Sequence, residues 1–360
     1  MEQVTDGLLH PRDLEAWHRW QLSSEPWDRR LRRVTQVLVD IARPGSRPGE
    51  LVLTRGGPGP VRLLVCVESR SPTSALALLR PLEHLPLEGV AVLSPEPVHD
   101  LLPPWVWQRS TTSVLEVVPR LVAEAEVVLS TGHYLPIGRA ARETLADLGR
   151  PERFVTAQHG LLTPHAPPLA EHTTLLAWSD ADADFWRSGR TDVPARTVGS
   201  PLLWEAAQAG PATLDPGASP VFLGQLHGAE LPRETLERAA EEFCRETGAR
   251  YRPHPSETDR RSVATHARWE AAGITVDRSR TPLRELGAPV ASVFSTGVLE
   301  AAAAGLPAGV TCPDPPPWLT AFWQRYGLLP WGGRPTPSPE RPPSAPSGGV
   351  AEVLAAMMSA

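Results

Sequence analysis

Two short segments carry the residue types that hold a phosphate. The first is Tyr251-Arg-Pro-His-Pro-Ser256, where a histidine and a proline directly follow a short apolar run. The second begins 41 residues after His254, as Ser295-Thr-Gly297, with Glu300 one turn further on. A histidine donates to a phosphate oxygen. A Ser-Thr-Gly turn at the mouth of a helix offers hydroxyls, unpaired amides and the partial positive charge of the helix N-terminus. Glu300 is placed to reach a ribose diol. In this order the segments read as a nucleotide donor site formed by Arg252, His254, Pro255, Ser295, Thr296, Gly297 and Glu300. The alternatives are structural: His254 capping a strand end, Ser295 serving as an N-cap, and Arg252 pairing with Glu257.

Three further sites have chemistry. Gly224-Gln-Leu-His-Gly228 follows a short strand, so the amide of Gly224 and the polar Gln225 are assigned to the same donor phosphate. It is not GxGxxG, and a standard dinucleotide fold is not supported. Gln158-His-Gly160 ends a strand in the first half of the chain. His159 there can take a proton from an attacking hydroxyl, because imidazole titrates near working pH; Gly160 allows a sharp turn beside it. His133, after the preceding strand, is assigned with Gln158 and Gly160 to an acceptor. Each of these histidines has a bland alternative, a bond to a neighbouring loop carbonyl. His165 is a weaker candidate in a Pro-rich loop. Asp180, Asp182 and Asp184 alternate on a helix, so their side chains do not converge, and they read as helix-start charge.

These residues need elements to position them. Apolar runs at 61–67, 90–93, 126–130, 153–157, 173–178 and 195–198 alternate with helical stretches, the signature of a parallel, doubly wound sheet. The pattern resumes at 220–223, 249–252, 274–276 and 289–294. Ligands of such sheets bind beyond the carboxyl ends of the strands, where all the candidates lie. The expected division is an N-terminal helical extension over 1–55, a Rossmann-like acceptor domain over 56–207, a Gly/Pro/Ala linker over 208–219, a Rossmann-like nucleotide-donor domain over 220–334, and a Pro-rich linker with a C-terminal helix over 335–360. Two such halves facing a central cleft is the expected α/β architecture.

The bulk properties exclude other classes. The 360 residues carry a net charge of −6, and Arg29-Arg-Leu-Arg-Arg33 is the one basic tract that stands out, so no nucleic acid partner is expected. The 3 cysteines are far apart, without metal-ligand spacing, so neither metal nor cofactor is expected. No apolar run reaches the roughly 18–20 residues of a membrane span, and the first residues lack a signal-peptide pattern, so a cytoplasmic location is expected. Residues 8–42 read as helical, with Trp17, Trp20, Trp27, Leu31, Val34, Val37 and Leu38 in an interrupted stripe beside the arginines. Such a helix either packs on its domain or makes peripheral contact with the inner face of a membrane. GxSxG and Walker A motifs are both missing, which disfavours an α/β-hydrolase and a P-loop enzyme.

Gln-His-Gly after a late strand of the first half, His-Pro in the second, and Ser-Thr-Gly-x-x-Glu further on resemble the GT-B-fold transferases, over about residues 60–330. The nearest groups are the bacterial CDP-glycerol glycerophosphotransferases and the sialyl- and polysialyltransferases with an His-Pro motif. The resemblance implies a metal-independent enzyme moving a sugar or a glycerol phosphate from a CMP or CDP donor to a cell-envelope glycan or polyol-phosphate acceptor. In it, His159 is the acceptor-activating base, His254, Ser295 and Thr296 hold the donor phosphate, and Glu300 contacts ribose. The acidic catalytic motif of the sialyltransferases is missing, and Ser295-Thr296 stands where the family has a Ser-Ser pair. Alternatives are a UDP-sugar transferase, a protein like the UDP-N-acetylglucosamine 2-epimerases, and a non-catalytic nucleotide- or glycan-binding relative.

Overall fold

The structure is a computed structural model, described for residues 7–24, 50–104, 107–279 and 281–359. Of the Trp/Arg stretch, Trp27, the arginines at 29–33 and the apolar positions 31–38 lie outside the described residues. The chain divides into two compact units. Among the described residues, the first holds 7–17, 50–201 and 342–359, and the second holds 18–24 and 202–341.

The first helix among the described residues is α1 (Leu14–Ser24). Trp17 anchors its beginning to the first unit: its ring is 5% exposed, its Nε1 donates to the His165 carbonyl at 2.8 Å, and it meets Tyr134 edge-on at 5.5 Å. The first unit continues through β1 (Glu50–Arg55), β2 (Leu63–Cys66), α2 (Pro72–Leu78), β3 (Val90–Ser94), β4 (Gln108–Ser113), α3 (Val114–Glu124), β5 (Val127–Ser130), α4 (Pro136–Asp147), β6 (Phe154–Ala157), β7 (Thr174–Ala177), α5 (Asp180–Arg187) and β8 (Ala195–Thr197). Its sheet runs β4-β1-β3-β2-β5-β6-β7-β8. Six strands, β3 and β2 through β8, pair in parallel as expected. Glu50–Arg55, expected at the end of a helical extension, is instead strand β1, antiparallel to both β3 and β4. The sheet is therefore mixed.

Residues on the central strands are buried on both faces, which is why the strands read as continuous apolar runs. Leu63, Val65 and Val67 point into one layer with Leu78, Leu82, Val92 and Leu129. Leu64 and Cys66 point into the other, with Val118, Leu121 and Leu145 from α3 and α4. The first layer is completed by residues from far down the chain, Val350, Ala351 and Leu354.

The second unit contains α6 (Pro201–Gln208, of which Pro201 belongs to the first unit), β9 (Val221–Leu223), α7 (Arg233–Thr247), β10 (Arg250–Arg252), α8 (Arg260–Ala271), β11 (Val290–Ser292), α9 (Gly297–Ala303), β12 (Ala308–Val310) and α10 (Pro317–Arg325). Its sheet is parallel throughout, in the order β10-β9-β11-β12. The run 274–276, expected as a strand, contributes a single bridge between Val276 and Tyr251. The last helix, α11 (Pro346–Met357), returns to the first unit. No helix among the described residues is long and apolar enough to cross a membrane.

Leu354 is fully buried against the first unit's core. Its replacement by alanine is expected to cost about 2–5 kcal/mol, read as a lower denaturation midpoint. A midpoint equal to wild type would mean that α11 is not part of that core.

Candidate functional site

The order of strands fixes where a ligand can approach. In the second unit β9 is followed in sequence by β10 on one side, while β11 lies on its other side, so the order reverses between β9 and β11. Such switch points open a crevice at the carboxyl ends of the strands. The loops that leave these ends are 224–228 after β9, 253–259 after β10 and 293–296 after β11. All the expected donor-site residues belong to these loops or to the residues beside them.

A buried carboxylate ties the first two loops together. Glu257 Oε1 accepts from the amides of Leu226 at 3.0 Å and His254 at 3.2 Å. Its Oε2 accepts from the Tyr251 hydroxyl at 2.8 Å and lies 3.0 Å from His266 Nε2. His227 Nδ1 stands 4.0 Å from Oε1. Burial alone would raise the Glu257 pKa, but the donors from His227, His266 and Tyr251 and the His254 amide hold it down to about 2. Glycine at 224 is required by this packing, because a Cβ would fall 2.3 Å from the Tyr251 hydroxyl and 2.7 Å from Glu257 Oε1. Gln225 makes the second tie: its Oε1 accepts from Ser292 Oγ at 2.8 Å and from the Phe294 amide at 2.9 Å.

Several expected phosphate donors are therefore already committed. The Gly224 amide donates to the Arg252 carbonyl, the Leu226 amide to Glu257 and the Gly228 amide to Gln225. The Gln225 carboxamide oxygen holds β11. The Gly297 amide donates to Ser295 Oγ at 3.1 Å. Gly297 itself lets α9 approach the sheet, since a Cβ would lie 2.4 Å from Leu223 Cδ1. The anion-directed chemistry of the site rests instead on side chains.

Arg252 does not pair with Glu257. Its Nη2 donates to the Thr281 carbonyl at 2.6 Å, and its Nη1 is sealed from solvent without a partner among the described residues. Glu300 is within electrostatic reach of this guanidinium: burial raises its carboxyl pKa and the Arg252 charge opposes the rise. His254 Nδ1 accepts from the Ser256 amide at 3.1 Å. In the neutral ring the proton is then on Nε2, which donates. The ring is kept neutral at pH 7, with its pKa lowered to about 4 by desolvation and by His227, against the pull of Glu257. His227 and His254 stack at 3.8 Å between centroids, 16° from parallel. Pro255 is an exposed turn residue beside them.

The first unit has its own switch point, between β2 and β5. Glu68 leaves β2 there and accepts from the Gly138 amide at 2.8 Å, near the start of α4. Burial raises its pKa, and the Gly138 and Ile137 amides work against the rise. Tyr134 is pushed to about 12 by burial, opposed by a bond to Thr131. Gly132 has a φ of 143° and its carbonyl accepts from Ser130 Oγ, which turns the chain sharply after β5 and leads into His133. After β6, Gln158 is 2% exposed and wholly engaged: its Nε2 donates to the Gly160 carbonyl at 3.0 Å, and its Oε1 accepts from the Trp178 amide at 2.8 Å. Gln158 and Gly160 thus shape the loop. His159 is left as its reactive group. Burial lowers its pKa to about 4, so it is neutral and able to take a proton at pH 7. Its Nδ1 is buried without a partner among the described residues.

Glu68 and His227 went unassigned from sequence. Glu68 directly follows the apolar run of β2, and His227 lies in the Gly-Gln-Leu-His-Gly turn. Both were legible as polar residues at strand ends.

No protein-family model matches the chain, and no curated protein matches it. Among solved structures the chain is similar to HepE from Anabaena, in three crystal structures of that protein's ligand complexes. The complex with UDP-glucose is 14% identical over 82% of this chain and 89% of that chain, with a TM-score of 0.43. The complex with UDP and glucose has the same identity and coverage and a TM-score of 0.44. The complex with UDP is 14% identical over 83% of this chain and 90% of that chain, with a TM-score of 0.41. The ligands are those of HepE.

Because the folded Glu257 pKa lies below its ordinary value near 4.5, its contribution is complete above that value and is lost as pH falls towards 2. The contribution is on the order of 3 kcal/mol. Glu257→Gln is expected to destabilise the protein at pH 7 by about 2–3 kcal/mol and to flatten the acid dependence between pH 4.5 and 2. Parallel stability–pH curves for the two proteins would remove Glu257 from this role.

Proposed function

We propose that the protein is a glycosyltransferase-type enzyme that draws on a nucleotide-activated donor. The observation that carries the reading is the segment from Arg252 to His254: a sealed guanidinium nitrogen without a hydrogen-bond partner among the described residues, two residues from an imidazole whose tautomer presents a donor. A buried N–H without an acceptor is costly, and an oxyanion is a partner that satisfies it. Glu300, on which the Arg252 charge acts, is the group for a ribose diol, and Ser295 and Thr296 supply hydroxyls after β11. Each of the two α/β units has a parallel-strand switch point, which supports the reading.

In the reaction, the acceptor hydroxyl oxygen attacks the transferred carbon or phosphorus of the donor. The bond to the leaving phosphate breaks, and its electron pair stays on the phosphate oxygen. His159 takes the hydroxyl proton. Arg252 and His254 stabilise the charge that grows on the leaving group, the kind of preorganised electrostatics that needs no bound metal. The acceptor is a glycan or polyol-phosphate hydroxyl of the cell envelope. The donor base is cytidine in our first reading and uridine in the second.

Calorimetric titration of the full chain with CMP, CDP, UMP, UDP, GDP and ADP tests the donor site. At least one pyrimidine nucleotide is expected to bind, and Arg252→Ala and His254→Ala each to weaken it about 10- to 100-fold. Binding by none of the six would overturn the reading. With an active donor–acceptor pair, His159→Ala is expected to leave nucleotide affinity unchanged while lowering turnover about 10²- to 10⁴-fold. Full turnover in that variant would remove His159 as the base.

A further inference from the structure

The loop after β6 carries His159 near its start and three prolines, Pro164, Pro167 and Pro168, further on. A proline brings a carbonyl but no N–H, so such a loop must draw donors from elsewhere. They come from two directions. Trp186 Nε1 donates to the Pro167 carbonyl at 2.8 Å and Arg190 Nη1 to the Leu169 carbonyl at 2.6 Å, from α5 and the residues after it. Two more come from the start of the chain: the Leu9 amide donates to the Pro164 carbonyl and Trp17 Nε1 to the His165 carbonyl, both at 2.8 Å. The segment that supplies them is also held by other bonds. The Leu8 amide donates to Ser188 Oγ at 2.8 Å, and Leu8 belongs to the same apolar cluster as Leu162 and Leu169. Asp13 Oδ1 accepts from the Ala16 amide at 2.8 Å, a bond of the N-cap kind at the start of α1. Trp17 follows one turn in, with its ring buried.

The same ring touches a second loop. It meets Tyr134 edge-on, 69° from parallel, with the ring centres 5.5 Å apart. Tyr134 directly follows His133 in the loop after β5. Its own ring packs so closely on that turn that a Cβ at Gly132 would fall 2.9 Å from it. We infer that Trp17 is a positioning residue of the candidate acceptor site: one indole joins the loop after β5 to the loop after β6, and so sets His133 and His159 relative to each other. The inference rests on the proposed reading of His159 as the base and deepens it. A base works when it is held within reach of the proton it takes, and a displacement of about 1 Å costs roughly 100-fold in rate. Gln158 fixes the first residues of the His159 loop through Gly160 and Trp178. Trp17 supplies the tie to the neighbouring loop.

The test follows the His159 ring by NMR in the full chain with isotope-labelled histidine, its signal identified by loss in His159→Gln. In wild type the ring is expected to hold one tautomer and to titrate at about 4, where burial places it. Trp17→Phe keeps a ring beside Tyr134 and removes the N–H. It is expected to let water into the loop, so that His159 exchanges between tautomers and titrates nearer its ordinary 6.5. Leu354→Ala weakens the same unit in a different core layer and is expected to leave the His159 signal as in wild type. With the donor–acceptor pair used for His159→Ala, Trp17→Phe is expected to lower kcat about 10- to 100-fold, with affinity for UDP and CDP unchanged. A His159 signal unaltered in Trp17→Phe, or altered with kcat intact, would overturn the role of Trp17 and leave His159 standing as the base. The same alteration in Leu354→Ala would assign the effect to lost stability and overturn it too. Full turnover in His159→Ala would overturn the base reading itself, and this inference with it.

Discussion

The second unit depends on one buried carboxylate. The four short parallel strands of its sheet, each of three residues, cannot by themselves fix the loops that leave them. Glu257 does it by gathering donors from all sides: an amide of the β9 loop, an amide and a hydroxyl from β10 and its loop, and an imidazole from α8. A carboxylate removed from water is tolerable only when its oxygens are filled in this way. The requirement works in reverse on the surroundings. Any shift of the β9 loop strands a charge, so the loop has one low-energy position. That rigidity sets the stacked imidazoles and explains why glycine must stand at 224.

The first unit solves a related problem with different chemistry. Glu68 also sits at the order reversal of its sheet, but its partners are backbone amides at the start of α4. The helix start is neutralised by the protein's own carboxylate. The loop after β6 is built by an amide side chain, Gln158, which bonds to Gly160 and Trp178 and leaves a histidine as the group that can do chemistry. Each unit therefore uses one buried polar side chain to hold a loop and presents a neighbouring histidine.

The central strands were legible because burial on both faces produces unbroken apolar runs, as in Leu63–Cys66 and Val127–Ser130. The start of helix α5 was legible from the alternating aspartates, and the structure adds a cap at Ser179. Strand β4, Gln108–Ser113, was not, since a polar edge strand carries neither an apolar run nor a clean alternation. Strand β1 was hidden because its place in the sheet comes from antiparallel partners far along the chain. The run 274–276 looked like a strand by composition, yet it finds one bridging partner. At the candidate site, residue types at strand ends marked loops that the structure places beside the switch points of the two sheets. What they could not show was which polar groups the protein uses on itself. The amides of Gly224 and Leu226 and the side chains of Gln225 and Gln158 are all internally bonded, and that is a tertiary fact. Pairing Arg252 with Glu257 from sequence proximity failed for the same reason: Glu257 turns inward to Tyr251 and His266, and Arg252 reaches Thr281.

The return of α11 has a bearing on how the molecule is made. Val350, Ala351 and Leu354 fill a face whose other walls, among them Leu78, Leu82 and Val92, are synthesised far earlier. Between residue 201 and residue 346 the ribosome must build the whole second unit. At typical elongation rates that interval is on the order of 10–30 s. Throughout it the nascent first unit carries an uncovered apolar face, while the second unit has all its strands in one continuous stretch and can close as it emerges. The later-made half is thus free to mature first, and the earlier-made half is the natural client for a chaperone at the exit tunnel.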